Sequence, residues 1–261
     1  MTQQLSVAPR DSISAAINAA VADGRPALVG FLTAGFPTRR DFKKNFDAVA
    51  GICDVVEIGV PFSDPMADGA TVQRASFAAL ADGVTLPWIL EELGHWAPRG
   101  TAPILLMSYL NPLLSFGLAA LPRAAAAAGV SGFIVPDLPF EESDDLQQAL
   151  EGEGLALIRM VTPVTPPDRL AMLCREAQGF VYAVTMTGTT GKSVDVPTDV
   201  LEYMDRVKRC SSVPVCAGFG IRSKEQVARL ARHVDGVVVG SALVETLERG
   251  EDVRIFLRSL R

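Results

Sequence analysis

Histidine is nearly missing from this 261-residue chain, which carries only His95 and His233, neither with a second plausible metal ligand beside it in sequence. A metal site built on imidazole and thiolate is therefore not expected. The four cysteines, Cys53, Cys174, Cys210 and Cys216, show no C-x-x-C spacing and lie in apolar or helical stretches. They read as reduced thiols. Lysine is scarce too: Lys43, Lys44, Lys192, Lys208 and Lys224 all fall outside the apolar runs, so imine chemistry from a strand-end lysine is not expected. No apolar run is long enough to span a bilayer and residues 1–10 do not resemble a signal peptide, which predicts a cytoplasmic protein. The formal net charge of −6 comes without any basic stripe and speaks against a nucleic-acid partner. Chemistry is left to carboxylates, hydroxyls and backbone.

What the chain has in quantity is short apolar runs. Hydrophobic residues make up 49% of the sequence, and the mean hydropathy of +0.26 suits parallel strands covered on both faces. Runs rich in valine, isoleucine and leucine at 26–33, 55–60, 104–109, 132–136, 156–161, 180–185, 213–218 and 236–239 alternate with segments of helical periodicity. Phe42, Phe46 and Val49 fall on one helical face, as do Val227, Leu230 and Val234, and Ser223 with Gln226 predicts a capping box. Eight β-α units joined by right-handed crossovers close most simply into a (β/α)8 barrel of the TIM type, with the active site at the carboxyl ends of the strands. Residues 11–22 add an extra N-terminal helix that is positioned to plug the opposite end. No linker or low-complexity tract interrupts the chain, so residues 1–261 are expected to form a single barrel domain.

The run Glu57-Ile58-Gly59-Val60-Pro61-Phe62-Ser63-Asp64-Pro65-Met66-Ala67-Asp68-Gly69 breaks this pattern most sharply. Val55, Val56, Ile58 and Val60 form a buried strand interrupted by one acid, and a glutamate in that position suffers desolvation that raises its pKa toward values useful for proton transfer. Pro61 and Pro65 mark a turn-rich loop carrying Asp64 and Asp68. A bland alternative makes Glu57 a satisfied core acid and the two aspartates caps of the next helix.

Other strand ends also carry candidates. Phe31 ends the first strand, Tyr109 and Asn111 follow the third, and Asp137 lies between the prolines after the fourth. Asn111-Pro112 is equally an ordinary turn. Tyr182 precedes the small polar stretch 185–193, which has the composition of a lid and also of a plain solvent loop. Gly218, Gly220 and Gly240-Ser241 follow the last two strands, where exposed N–H groups form the recurrent phosphate site of such barrels.

Residues 57–69, with matching stretches from Ala27-Leu28-Val29-Gly30-Phe31 to Val239-Gly240-Ser241-Ala242, resemble the tryptophan synthase alpha subunits. The resemblance implies cleavage of indole-3-glycerol phosphate to indole and glyceraldehyde 3-phosphate. Indole then passes to a beta subunit, in an α2β2 assembly, that carries pyridoxal phosphate; no cofactor is expected in this chain. Carried over by position, Glu57 is the general acid and base, Asp68 the partner of the indole N–H, and Tyr182 a hydroxyl beside the carboxylate. Phe31, Leu106, Ile134 and Val161 surround the substrate, Tyr109 lines the site, and Thr190 closes over it toward Asp68. Gly191, Phe219, Gly220, Gly240 and Ser241 hold the phosphate. Two positions depart from the family pattern: Ala70 stands where proline is usual, and Lys192 where a small residue is common. Two rivals remain open: a stand-alone lyase that releases free indole, and a barrel that binds a phosphorylated ligand and activates a partner without turnover.

Overall fold

The computed structural model describes residues 8–96, 102–185, 196–218 and 220–261. All of the predicted strands are present and all pair in parallel: β1 (Ala27–Thr33), β2 (Val55–Gly59), β3 (Ile104–Met107), β4 (Val130–Ile134), β5 (Ala156–Leu157), β6 (Arg159–Val161), β7 (Val181–Val184), β8 (Val215–Gly218) and β9 (Gly236–Val239). The fifth predicted strand is two pieces. β5 pairs with β4, β6 pairs with β7, and these are the two ends of the ladder β5-β4-β3-β2-β1-β9-β8-β7-β6. Only Ile158 separates them, and its N–H donates to the Phe133 carbonyl at 2.9 Å. The sheet thus closes on itself as a TIM barrel of eight β-α units.

Register decides which side chains face inward. Phe31, Glu57 and Leu105 are partners across β1, β2 and β3, so they share one face; Leu32, Ile58, Leu106 and Phe133 share the other. The first face looks into the barrel. The second packs against the helices, among them α2 (Arg39–Ala50), whose Phe42, Phe46 and Val49 are buried as their spacing predicts.

The amino end of the barrel is filled by α1 (Pro9–Ala22), which starts two residues before the predicted span because Pro9 suits a first helical turn. Ile13, Ile17 and Ala20 are fully buried against Ala27, Val29, Val55, Leu105, Phe180, Cys216 and Val238. Complete burial of isoleucines of this size contributes about 1.5–3 kcal/mol each, so the helix stabilises the barrel floor and leaves the carboxyl ends for chemistry. Near those ends, the third predicted strand is shorter than expected. β3 stops at Met107, and Leu110–Phe116 forms a helix that takes Pro112 into its first turn, with Asp137 accepting the Leu110 N–H at 2.9 Å. Asn111-Pro112 is therefore the start of a helix rather than a turn, and Asp137 is its cap. Among the described residues, no helix is long and apolar enough to cross a membrane.

Candidate active site

Glu57 lies within β2 and is 1% exposed. Its register partners are Phe31 and Leu105, so the carboxyl projects into the barrel, where Oε2 has no hydrogen-bond partner among the described residues. Burial, and then the charge of Asp68, push its pKa up to about 8. A carboxyl in these surroundings is mostly protonated at neutral pH.

Asp68 belongs to the loop that leaves β2, and the backbone there is held on several sides. The Asp68 N–H donates to the Pro65 carbonyl at 3.1 Å, and Gln73 Nε2 donates to the Asp68 carbonyl at 2.9 Å. Tyr109, just beyond β3, accepts the Ala67 N–H at 2.9 Å and stacks on Phe62 with ring centroids 5.0 Å apart. The Tyr109 hydroxyl also acts on the Asp68 carboxylate, favouring its charged form. Burial raises the Asp68 pKa to about 6, with the Tyr109 hydroxyl opposing that rise. The helix that follows (Ala70–Ala81) begins after Gly69 and receives no side-chain cap. The capping role for Asp64 and Asp68 thus falls away: Asp64 accepts from its neighbour Ser63 at the surface, and Asp68 is turned to Tyr109. Ala70 occupies the first position of that helix, where proline is favoured.

Tyr182 on β7 faces inward beside Cys216. Burial, then the charges of Glu57 and other nearby groups, keep its hydroxyl protonated well beyond the usual tyrosine range. Its position depends on a glycine. A Cβ on Gly218 would lie 2.5 Å from the Tyr182 ring, and a Cβ on Gly59 would lie 2.6 Å from the Phe31 ring. Two site aromatics therefore sit over glycines whose role sequence reasoning passed over; both belong to quoted motifs, the signature run and Ala217-Gly218-Phe219-Gly220.

Two expected substrate contacts require correction. Leu106 pairs with Ile58, and Val161 pairs with Ala183, which places both on the outer, helix-facing surface of the sheet. Their neighbours Met107 and Met160 face inward instead: Met107 pairs with Gly59 and Ile134, and Met160 pairs with Tyr182. Strand parity is fixed by a single residue of offset, and the sequence alone left that offset open. Ile134 does face the interior, along with Phe31.

At the last two strand ends, Gly220 adopts a φ of +26°, and Gly240 immediately precedes the helix Ser241–Glu248. Ser241 opens the helix, so its N–H and that of Ala242 lie ahead of the first intrahelical bonds and can face an anion. Thr190, Gly191 and Phe219 lie outside the described residues. Lys43 and Lys44 are carried on α2 and Lys208 and Lys224 on or beside other helices, so no described lysine stands on a barrel strand.

The fold agrees with the comparisons. The family model for the tryptophan synthase alpha chain matches residues 17–258. The chain belongs to the tryptophan synthase alpha chain family. It is 46% identical over 243 residues to the alpha chain of Solidesulfovibrio magneticus, covering 93% of this chain and 95% of that one. With the Chloroflexus aurantiacus alpha chain it shares 43% identity, covering 87% and 86%. Among solved structures, tryptophan synthase from M. tuberculosis in an aminoacrylate-bound form superposes with a TM-score of 0.86 at 35% identity, over 95% of this chain and 97% of that one. The alpha subunit from Legionella pneumophila gives 0.86 at 30% identity, over 95% and 96%. The tryptophan synthase alpha family reaction is the carbon-carbon cleavage of indole-3-glycerol phosphate to indole and glyceraldehyde 3-phosphate, in the synthesis of tryptophan, and it is the activity of this chain.

Proposed function

We propose that the cleavage runs on Glu57 and Asp68, and the observation that carries this reading is the buried Glu57 carboxyl with its unpartnered Oε2 facing the barrel interior. Protonated Glu57 delivers its proton to C3 of the indole ring, and the positive charge that develops at the ring nitrogen is stabilised by ionised Asp68. Glu57, now a carboxylate, takes the proton of the glycerol hydroxyl next to the ring. The carbon-carbon bond breaks, its electron pair returns to the indole ring, and the hydroxyl carbon leaves as the aldehyde. Glu57 ends protonated, ready for another turnover. The pKa values suit this division of labour at neutral pH, the higher one belonging to the acid and the lower one to the anion.

Tyr182 supplies a hydroxyl beside Glu57, Tyr109 orients Asp68, and Phe31 and Ile134 enclose the substrate together with Met107. Gly220, Gly240 and Ser241 bind the phosphate, and Thr190, Gly191 and Phe219 keep the parts that the family resemblance gives them. The chain acts as one barrel domain in the cytoplasm, as the alpha partner in an α2β2 assembly, with pyridoxal phosphate confined to the beta chain. The test is indole release from indole-3-glycerol phosphate by the purified chain, alone and with a tryptophan synthase beta subunit. Slow release that rises strongly with the partner supports the coupled enzyme. Fast release alone points to the stand-alone lyase, and no release under either condition rules out the catalytic roles.

A further inference from the structure

Three elements that carry site groups meet at one side chain outside the barrel. Glu245 lies one turn into the helix opened by Ser241, and its Oε2 accepts from Arg222 Nη1 at 2.6 Å while Oε1 accepts from Nη2 at 2.9 Å. Oε1 also accepts from the Thr71 hydroxyl at 3.3 Å. Arg222 follows Gly220 by two residues, and its backbone N–H is held by Gln226 Oε1 at 2.8 Å. Thr71 follows Asp68 by three residues, on the first turn of the helix Ala70–Ala81. One carboxylate on the helix after β9 therefore bonds to the loop after β8 and to the helix behind Asp68.

We propose that Glu245 is a positioning residue that ties the helix behind Asp68 to both phosphate-binding loops, so that phosphate occupancy is felt at the Asp68 carboxylate. This rests on the site roles given under Proposed function. The Glu245 side chain is 23% exposed, and its bidentate pairing with a planar guanidinium fixes orientation as well as distance. Both terminal nitrogens of Arg222 donate to Glu245, so the pair fixes the Arg222 loop against the helix opened by Ser241. A second clamp between the same two helices, Arg74 Nη2 to Glu248 Oε2 at 3.0 Å, lies about one turn farther along and does not reach the Arg222 loop. It provides an internal control.

The experiment measures indole binding to the full chain with and without saturating inorganic phosphate, alongside turnover of indole-3-glycerol phosphate. In the unmodified chain phosphate should tighten indole binding about fivefold or more, the scale of an ordinary coupling between sites. Glu245→Gln should bring that ratio close to one, Arg222→Gln should reproduce the loss from the other side of the pair, and Glu248→Gln should keep the ratio. A merely structural contact would weaken both binding steps and leave their ratio unchanged. Persistence of the ratio in Glu245→Gln, its absence in the unmodified chain, or tighter phosphate binding by a released Arg222 would each overturn the proposal. If the unmodified chain releases indole while the ratio survives the substitution, only the positioning role fails. If it releases none, the site roles fail as well.

Discussion

The hydroxyl of Tyr109 accepts the backbone N–H of Ala67 at 2.9 Å and holds down the pKa of the neighbouring Asp68 carboxylate, so one side chain from the end of β3 acts on both the loop and its acid. Tyr109→Phe keeps the ring stacked on Phe62 but removes the Ala67 bond and the hydroxyl beside Asp68. Loss of an ordinary hydrogen bond costs about 0.5–1.5 kcal/mol. The variant should remain folded and lose about tenfold or more in kcat/KM, and the Asp68 pKa should move upward because the hydroxyl that lowers it is gone. Steady-state kinetics across pH checks both outcomes.

The unmodified chain should give a bell-shaped profile of kcat/KM against pH. Its acid limb reports protonation of Asp68 near pH 6, and its alkaline limb reports loss of the Glu57 proton near pH 8. The two groups sense one another, so the limbs belong to the pair. A rate that climbs steadily through pH 9 would contradict Glu57 as the proton donor.

Stability should respond to the same carboxyl. Glu57 has a folded-state pKa of about 8 against an ordinary 4.5, so between those values the folded chain holds a proton that the unfolded chain has lost. Its contribution to stability is thus most favourable below pH 4.5 and declines as pH rises, by up to about 1.4 kcal/mol per unit, until the folded pKa is passed. Glu57→Gln removes the ionisation while keeping the shape. Thermal melts should show the variant more stable than the unmodified chain at pH 8, with the difference vanishing near pH 4.5.

Gly218 should tolerate no side chain. Alanine there would place its Cβ 2.5 Å from the Tyr182 ring, a distance that forces the ring to move. Gly218→Ala is expected to lose about 1–3 kcal/mol of stability to overpacking. It should also lower turnover by displacing the Tyr182 hydroxyl. Unchanged kinetics would show that the position of Tyr182 does not matter to the reaction.

Much of this architecture was legible because the signals were local. Valine-rich runs separated by helical periodicity located every strand, Ser223 and Gln226 form the expected capping box, and the lone acid in 55–60 marked Glu57. The lost details were those set by tertiary context. The split of the fifth strand at Ile158 follows from barrel closure, and the helix beginning at Leu110 depends on Asp137, which is distant in sequence. The fit of Gly59 under Phe31 and of Gly218 under Tyr182 requires knowing which strands are neighbours.

Strand parity gives the sharpest remaining test, because Leu106 and Met107 are adjacent yet face opposite sides of the sheet. Leu106 is fully buried between strand and helices, so Leu106→Ala should destabilise the chain by about 2–5 kcal/mol while leaving the KM for indole-3-glycerol phosphate unchanged. Met107 shares a face with Gly59 and Ile134 inside the barrel. Met107→Ala should cost less in thermal stability and raise KM, since the apolar wall around the indole ring is thinned there. Melting curves and initial rates on the two variants separate the faces: a KM effect confined to Leu106→Ala would reverse the assigned register, whereas one confined to Met107→Ala places the methionine against the substrate.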